Sequence, residues 1–252
     1  MKVLDLFSGI GGFSLGLERA GMETVAFCEI SEYPRKILAR HWPDIPIYSD
    51  VRELTGDRLR QDGIAVDVIC GGFPCQDISA AGNQAGIGEG TRSGLWSECA
   101  RLLGDIRPRY AIFENVTALI SGERGEWFQQ VLWDISQVGY DAEWHCIRAS
   151  QLGAWHKRDR VWIMAYPNGQ GLEGLWQGRT LQGGREATGY GGPSSKSLGR
   201  AWATEPDICR VANGVPNRSH RLRCLGNAVV PQVVEFIAGA IWEDHSKIQG
   251  RH

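Results

Sequence analysis

Short β-branched apolar runs alternate with amphipathic stretches through the first 165 residues of the chain. Lys2–Phe7, Thr24–Cys28, Val66–Cys70, Tyr110–Glu114, Glu143–Ile147 and Arg160–Ala165 read as strands. Between them, Gly12–Ala20, Glu32–Arg40, Trp96–Ile106 and Glu126–Val138 carry apolar residues at helical spacing. Strand and helix alternating in this way predict an α/β fold with a doubly wound, mostly parallel sheet. The pattern stops over residues 169–199, where ten of 31 positions are glycine. So little apolar side chain buries little area unaided, and the stretch reads either as a loop-rich insertion that orders on a partner or as a spacer. Order resumes near Ala201. Pro231–Trp242 predicts a last helix, with proline in its first turn and Val234, Ile237, Ala238 and Ile241 on one face. The chain thus divides into 1–166, a glycine-rich region 167–215, and a segment 216–252 that returns to the first domain.

Composition adds limits. With 42% hydrophobic and 22% charged residues in 252, a globular fold is expected. No run of 18 consecutive apolar residues occurs, so no membrane span is expected, and the N-terminus does not read as a secretory signal. The seven cysteines include no Cys-x-x-Cys pair, which argues against a disulfide framework and a structural zinc site. Most, such as Cys28 and Cys70, read as small buried hydrophobes. The net charge of -2 hides an asymmetry: residues 145–223 hold 12 Lys and Arg against 5 Asp and Glu, and the remainder is acidic. Such a division suits one face turned to a polyanion on an acidic body, although clustered surface charge would produce the same count.

Two places hold candidate chemistry. At the first, a strand runs into Asp5-Leu6-Phe7-Ser8-Gly9-Ile10-Gly11-Gly12 and then a helix. Glycines at such a corner allow a tight turn and close approach of a ligand to the main chain. Glu29, ending the second strand, offers a carboxylate to ribose hydroxyls, and Asp50-Val51 follow the third strand region near an adenine edge. Ser14 stands where a dinucleotide fingerprint has its last glycine, which weakens a pyrophosphate reading but leaves a nucleoside cofactor.

The second place begins with Gly71-Gly72-Phe73-Pro74-Cys75-Gln76, after an apolar strand. A cysteine in a glycine-proline turn at a strand's carboxyl end is held where chemistry is usual in such sheets; a lone cysteine is also commonly a buried small residue. Residues 77–94, with Arg92, read as a lid. Glu114-Asn115-Val116 close the next strand, and His156-Lys157-Arg158-Asp159-Arg160 lead into another. If that segment is extended, Arg158 and Arg160 project to one side with His156, suited to phosphate, carbonyl or carboxylate.

In order and spacing, Asp5–Gly12, Glu29, Pro74-Cys75-Gln76, Glu114-Asn115-Val116, Arg158-x-Arg160 and Leu225-Gly226-Asn227-Ala228-Val229-Val230-Pro231 resemble the DNA (cytosine-5) methyltransferase family, in particular small bacterial or phage-type members. Only about 167–215 lacks a clear correspondence. The resemblance implies a Rossmann-like S-adenosylmethionine-dependent fold in which 1–166 is catalytic and 167–215 is a short target-recognition region. It implies S-adenosyl-L-methionine as cofactor, held by Phe7, Gly9, Gly11, Glu29, Asp50, Val51, Pro74, Asn227 and Val229. Cys75 would attack C6 of a flipped cytosine, with Glu114 on N3 and the 4-amino group and with Arg158 and Arg160 orienting the base. Gln76, Arg92, Arg218, Arg221 and Arg223 would contact duplex DNA. No metal and no membrane are implied. A cognate restriction endonuclease is an optional partner, and the implied location is cytoplasmic, nucleoid-associated or phage-encoded.

Two departures stand out. His156 occupies a position where the family commonly has Gln, and a structural hydrogen-bonding role is expected for it rather than a catalytic one. The recognition region is also short, which implies a relaxed or short target. A tRNA cytosine-5 methyltransferase is the nearest alternative, but its Cys-Phe-Thr signature is missing from the recognition region. A non-catalytic DNA-binding relative would have no chemical need for Cys75, Glu114, Arg158 and Arg160 together. A nicotinamide-dependent oxidoreductase is disfavoured by Ser14.

Overall fold

The computed structural model describes residues 1–74, 95–169 and 216–249, with side chains as far as 246. Cys75, Gln76, Arg92, the expected lid and the region 170–215 lie outside the described residues. Seven strands, β1 (Lys2–Leu6), β2 (Glu23–Cys28), β3 (Ile47–Tyr48), β4 (Val68–Gly72), β5 (Tyr110–Val116), β6 (Tyr140–Arg148) and β7 (Asp159–Pro167), form one sheet in the order β3-β2-β1-β4-β5-β7-β6. β1 to β5 are parallel, and β7 runs antiparallel to both β5 and β6. The reversal has a simple cause. Residues 149–158 between β6 and β7 hold one short 3-10 turn, Ala149–Leu152, too little chain for a parallel crossover.

Eight α-helices connect the described elements. They are α1 (Gly12–Arg19), α2 (Glu32–His41), α3 (Gly56–Gln61), α4 (Trp96–Ile106), α5 (Ala118–Ser121), α6 (Glu126–Gln137), α7 (Arg218–Asn227) and α8 (Pro231–Gln249). The central strands are apolar on both sides because helices cover both sides. On one face Leu4, Leu6, Ile69 and Phe113 pack with Leu102 and Leu103 of α4 and Val131 and Ile135 of α6. On the other, Val3, Val68, Ile112 and Trp162 pack with Leu17 of α1 and Val234, Ile237 and Ile241 of α8. Cys28, Cys70 and Cys99 are buried among these apolar side chains.

The sequence pattern located the long elements within a few residues but missed α3, α7 and the four-residue α5. α3 is short and polar; its start is marked by Thr55, whose hydroxyl accepts from the Arg58 amide at 3.1 Å. α7 has no buried residue, so it has no apolar stripe to reveal it. The expectation of no membrane-length apolar segment also needs correction. Among the described residues, 218–246 is long and apolar enough to cross a bilayer, with mean hydropathy 1.5 over 18 residues. It is nevertheless broken between α7 and α8, and the apolar face of α8 is in the core.

α8 lies so close to α1 that the contact tolerates only glycine. A Cβ on Gly16 would meet the Pro231 carbonyl oxygen and Val234 Cβ, both at 2.5 Å. One turn earlier, a Cβ on Gly12 would meet Val229 Cγ2 at 2.9 Å. Gly16→Ala should therefore force the helices apart and cost about 1–3 kcal/mol, despite alanine's better helix propensity. Chemical denaturation would read this as a lower midpoint; unchanged stability would contradict the close packing.

At the head of α1, the buried Asp5 carboxylate accepts hydrogen bonds from Ser14 N at 3.3 Å and Ser14 Oγ at 2.8 Å. Burial pushes the Asp5 carboxyl up from 3.8 to about 7, outweighing the Ser14 hydrogen bonds that pull it down. Because the folded-state pKa is raised, its stabilising contribution is complete below about pH 4 and is lost as pH rises through about 7. Denaturation measured from pH 5 to 8.5 should show a decline of a few kcal/mol that Asp5→Asn largely removes.

Candidate active site

The carboxyl ends of β1, β2, β4 and β5 open into a cavity of about 1470 Å³, closed on the far side by residues 217–229. Ligands bind at this edge of doubly wound sheets because the strands end together there and the following turns leave main-chain groups available.

Three glycines at the first corner have different tasks. Gly9 has φ +53, and a Cβ on it would find only the Phe7 carbonyl oxygen, at 3.9 Å, so the main chain there is open to the cavity. Gly11 has φ +83, and a Cβ would strike the Trp42 ring at 2.6 Å. Gly11 lines a neighbouring groove and not the main cavity, and its lack of a side chain leaves room for the Trp42 ring. Gly12 receives Val229, as described. Ser8 holds the corner down: its amide donates to the Cys28 carbonyl at 3.1 Å, and its hydroxyl donates to the Asp5 carbonyl.

Glu29 is buried at the end of β2. Its Oε2 accepts from Gly9 N and its Oε1 from Ser31 N, both at 2.8 Å. Two amides fix the carboxylate in one plane while each oxygen keeps a further lone pair for a hydroxyl. Asp50 forms an ion pair with Arg52, with Nε 2.9 Å from Oδ1. Hydrogen bonding from Arg52 holds the Asp50 carboxyl below its ordinary value. The Val51 carbonyl accepts from Arg101 at 3.0 Å, which pins this loop to α4. Ile30, 63% exposed, presents an apolar side chain to the same cavity.

At the other end of the cavity, Glu114 is buried and its Oε1 lies 2.9 Å from Arg160 Nε. A Cβ on Gly72 would sit 3.1 Å from Glu114 Oε2, so glycine there gives the carboxyl room. Burial pushes Glu114 up from its ordinary value, opposed first by Arg160 and then by Arg158. Burial and the neighbouring Arg160 lower Arg158 in turn, opposed by Glu114. Arg158 is not in regular extended backbone as expected; its φ is +29, and β7 begins one residue later. The two guanidiniums still converge on the cavity, and Arg158 Nη1 donates to the Gly226 carbonyl at 3.0 Å.

Asn115, the middle residue of the Glu-Asn-Val motif, has a structural role. Its Nδ2 donates to the Phe73 carbonyl at 3.2 Å, and its Oδ1 accepts from Val116 N at 2.8 Å. It therefore ties the end of β5 to the segment that leads to Pro74 and Cys75. The far wall extends beyond the expected Arg223, Asn227 and Val229. Tyr33 of α2 stacks on His220 of α7 with ring centroids 5.0 Å apart, and Asn217, His220 and Arg223 line the cavity. An exposed, basic helix gives no periodic signal, so only its spatial neighbours identify this role.

Of the predicted residues, Phe7, Gly9, Glu29, Asp50, Val51, Pro74, Glu114, Arg158, Arg160, Arg223, Asn227 and Val229 meet in this one cavity. Arg218 and Arg221 are exposed on α7 away from it, so the three arginines of that helix do not form a single face. His156 is exposed and lines the neighbouring groove. Among the described residues no group of three or more His, Cys, Asp or Glu is placed to hold a metal.

The sequence profile of the C-5 cytosine-specific DNA methylases matches residues 1–188. The type II methyltransferase M2.BsuMI of Bacillus subtilis is 34% identical over 169 residues, covering 66% of this chain and 42% of that protein. The type II methyltransferase M.CviJI of Paramecium bursaria Chlorella virus IL3A is 29% identical over 236 residues, covering 93% and 58%. The chain therefore spans about half the length of these curated relatives. A solved Escherichia coli prophage protein, described as a putative DNA modification methyltransferase, superposes with TM-score 0.57 at 27% identity over 66% of this chain and 47% of that one. The Entamoeba histolytica methyltransferase EhMeth shares the fold with TM-score 0.63 at 13% identity, covering 97% and 98%. With its fold and the profile match over residues 1–188 in agreement, the chain belongs to the C-5 cytosine-specific DNA methylase family.

Proposed function

We propose that the protein transfers a methyl group from S-adenosyl-L-methionine to C5 of a cytosine flipped out of duplex DNA. The observation that carries this reading is the single cavity shared by the Glu29 corner and by Glu114, Arg158 and Arg160, with Pro74 on its wall. At about 1470 Å³ it exceeds an ordinary small-molecule site of about 300–1,000 Å³, leaving room for a nucleoside cofactor beside a base.

The chain's own groups fit both occupants. Glu29, already fixed by two amides, would take the ribose hydroxyls; Asp50 and Val51 would meet the adenine. Phe7, Gly9, Asn227 and Val229 would surround the remainder. When bound, S-adenosylmethionine supplies an electrophilic methyl on a sulfonium. Cytosine C5 is too weak a nucleophile to accept that methyl directly. The Cys75 thiolate adds to C6, forming an S–C6 bond and moving the ring π electrons toward C5. Glu114, raised by burial, is suited to hydrogen-bond N3 and the 4-amino group as charge develops there. Arg160 keeps Glu114 in place, and Arg158 and Arg160 orient the base carbonyl. C5 would take the methyl with S-adenosylhomocysteine as the leaving group, and loss of the C5 proton to a base would then return the electron pair that expels the Cys75 thiolate from C6. A stacked duplex hides C6 from any thiol, so the target must leave the helix. Type II relatives suggest a restriction-modification setting, with an endonuclease partner as an option.

Labelled S-adenosylmethionine offered to duplex DNA tests the chemistry. Methyl transfer to cytosine should occur and fall by at least about 10³-fold in Cys75→Ser, because a hydroxyl is a far weaker nucleophile at neutral pH. Transfer that survives the substitution, or that prefers tRNA to duplex DNA, overturns the proposal.

The division of α7 yields a separate expectation. Arg218→Glu with Arg221→Glu should weaken duplex binding severalfold and leave S-adenosylmethionine affinity unchanged. Arg223→Glu, which alters the cavity wall, should weaken the cofactor as well. Calorimetric titration of each ligand separates the two, and equal losses from both variants would refute the division.

A further inference from the structure

The loop that delivers Arg158 to the cavity carries a feature the chemistry above does not use. Its base is closed by two main-chain hydrogen bonds, Ala154 N to the Ala149 carbonyl at 3.1 Å and Ala149 N to the Arg158 carbonyl at 3.3 Å. Ala154 is buried and Gly153 has φ 89, so the chain turns sharply and leaves Trp155, His156 and Lys157 as a projecting, exposed tip. Trp155 is 68% exposed, more than any other large apolar side chain among the described residues.

An indole is ordinarily buried for most of its area, and this one is not. The other exposed apolar side chains have different settings. Ile30 lines the main cavity, and Leu15 and Leu225 line the adjoining groove. Trp133 and Trp144 lie on α6 and β6, neither of which lines either hollow. Trp155 lines neither hollow itself but precedes residues that line both: His156 lines the groove, and Arg158 lines groove and cavity together. Lys157, next to it, has no carboxylate within ion-pair distance among the described residues. An aromatic plate beside an ammonium group is the combination that holds unstacked bases and their phosphates. The surrounding charge agrees, since Arg158 is tied to Gly226 of α7, the helix bearing Arg218 and Arg221.

We propose that Trp155 and Lys157 form a nucleic-acid contact on the rim of the base pocket. The indole stacks on a base left unstacked when the target leaves the duplex, and the ammonium group neutralises a flanking phosphate. This rests on the reading of the chain as a base-flipping DNA methyltransferase, and it assigns to that site two contacts outside the reacting groups.

Binding measured without turnover keeps the two readings distinguishable. Fluorescence anisotropy with labelled duplexes, paired or mismatched at one cytosine, would be recorded for the full chain with Trp155→Ala, Trp155→Phe and Lys157→Ala. Trp155→Ala should weaken binding about tenfold, with Trp155→Phe recovering most of it because a phenyl ring still stacks. Lys157→Ala should lower the slope of log affinity against log salt by about 1, for one lost phosphate. Affinity for S-adenosylmethionine and thermal unfolding should not change. Wild-type affinity in Trp155→Ala overturns the proposal, as does a loss matched by loss of cofactor affinity, which would make the indole a structural support. Failure of the unmodified protein to methylate DNA it binds would instead count against the catalytic reading and leave the contact standing.

Discussion

The close approach of α1 and α8 is the constraint on which the site depends. Gly12 and Gly16 are one turn apart on α1, and each presents bare backbone to the chain's last segment. That segment brings Val229, Pro231 and Val234 against the first helix, so residues more than 200 positions apart become neighbours. The position of α7 follows from it, because only Ala228–Val230 separate α7 from α8. α7 buries none of its own side chains. It is held by what it joins: α8 behind it, the Tyr33–His220 stack, and the hydrogen bond from Arg158 to the Gly226 carbonyl. The cavity's far wall is thus built on the packing of the core and not on any stability of the helix that forms it.

A second constraint acts at the opposite end of the cavity. Glu114 is buried enough that its ionised form is disfavoured, yet two guanidiniums face it. Burial outweighs the arginines, and the carboxyl is raised. The Arg160 ion pair at 2.9 Å meanwhile fixes where the carboxyl sits in the cavity. Gly72 contributes by absence: a larger residue there would crowd Oε2. Burial likewise lowers Arg158, with Arg160 adding to the effect and Glu114 opposing it.

How far the sequence disclosed this differs by element. Strands buried on both faces announce themselves as continuous apolar runs, so β1, β4 and β5 were legible, as was the alternation that gives the fold class. The antiparallel turn of β7 was not, because direction depends on the length of a connection whose ends had to be known first. Asp5, Glu29 and Glu114 were readable as acids at strand ends, where residue type and position coincide. The glycines share one pattern, Gly9-Ile10-Gly11-Gly12, yet it serves an open main chain, a tryptophan ring and a returning helix. Sequence shows only that side chains are missing, whereas the reason lies in neighbours such as Trp42 and Val229. Asn115 illustrates the converse, since its tether to the Phe73 carbonyl spans 42 positions and carries no local signal.

The charge asymmetry finds its physical basis in the Arg158 hydrogen bond. Basic residues of the 153–158 loop and of α7 are separated by about sixty positions, including the glycine-rich region. Two such segments could have faced opposite sides of the molecule, and their summed charge would then have meant little. Arg158 donating to Gly226 brings the base of one to the end of the other, beside the mouth of the cavity. Arg158, Arg160 and Arg223 therefore gather where a polyanion would have to lie for one of its bases to reach Glu114. The acidic remainder includes Asp5 and Glu29, which occupy the interior, and exposed carboxylates on α2 and α3 that pair with local Lys or Arg. A net charge near zero is consequently compatible with nucleic-acid binding, because the field at the pocket mouth is set by groups within about a Debye length of it rather than by the sum over the chain.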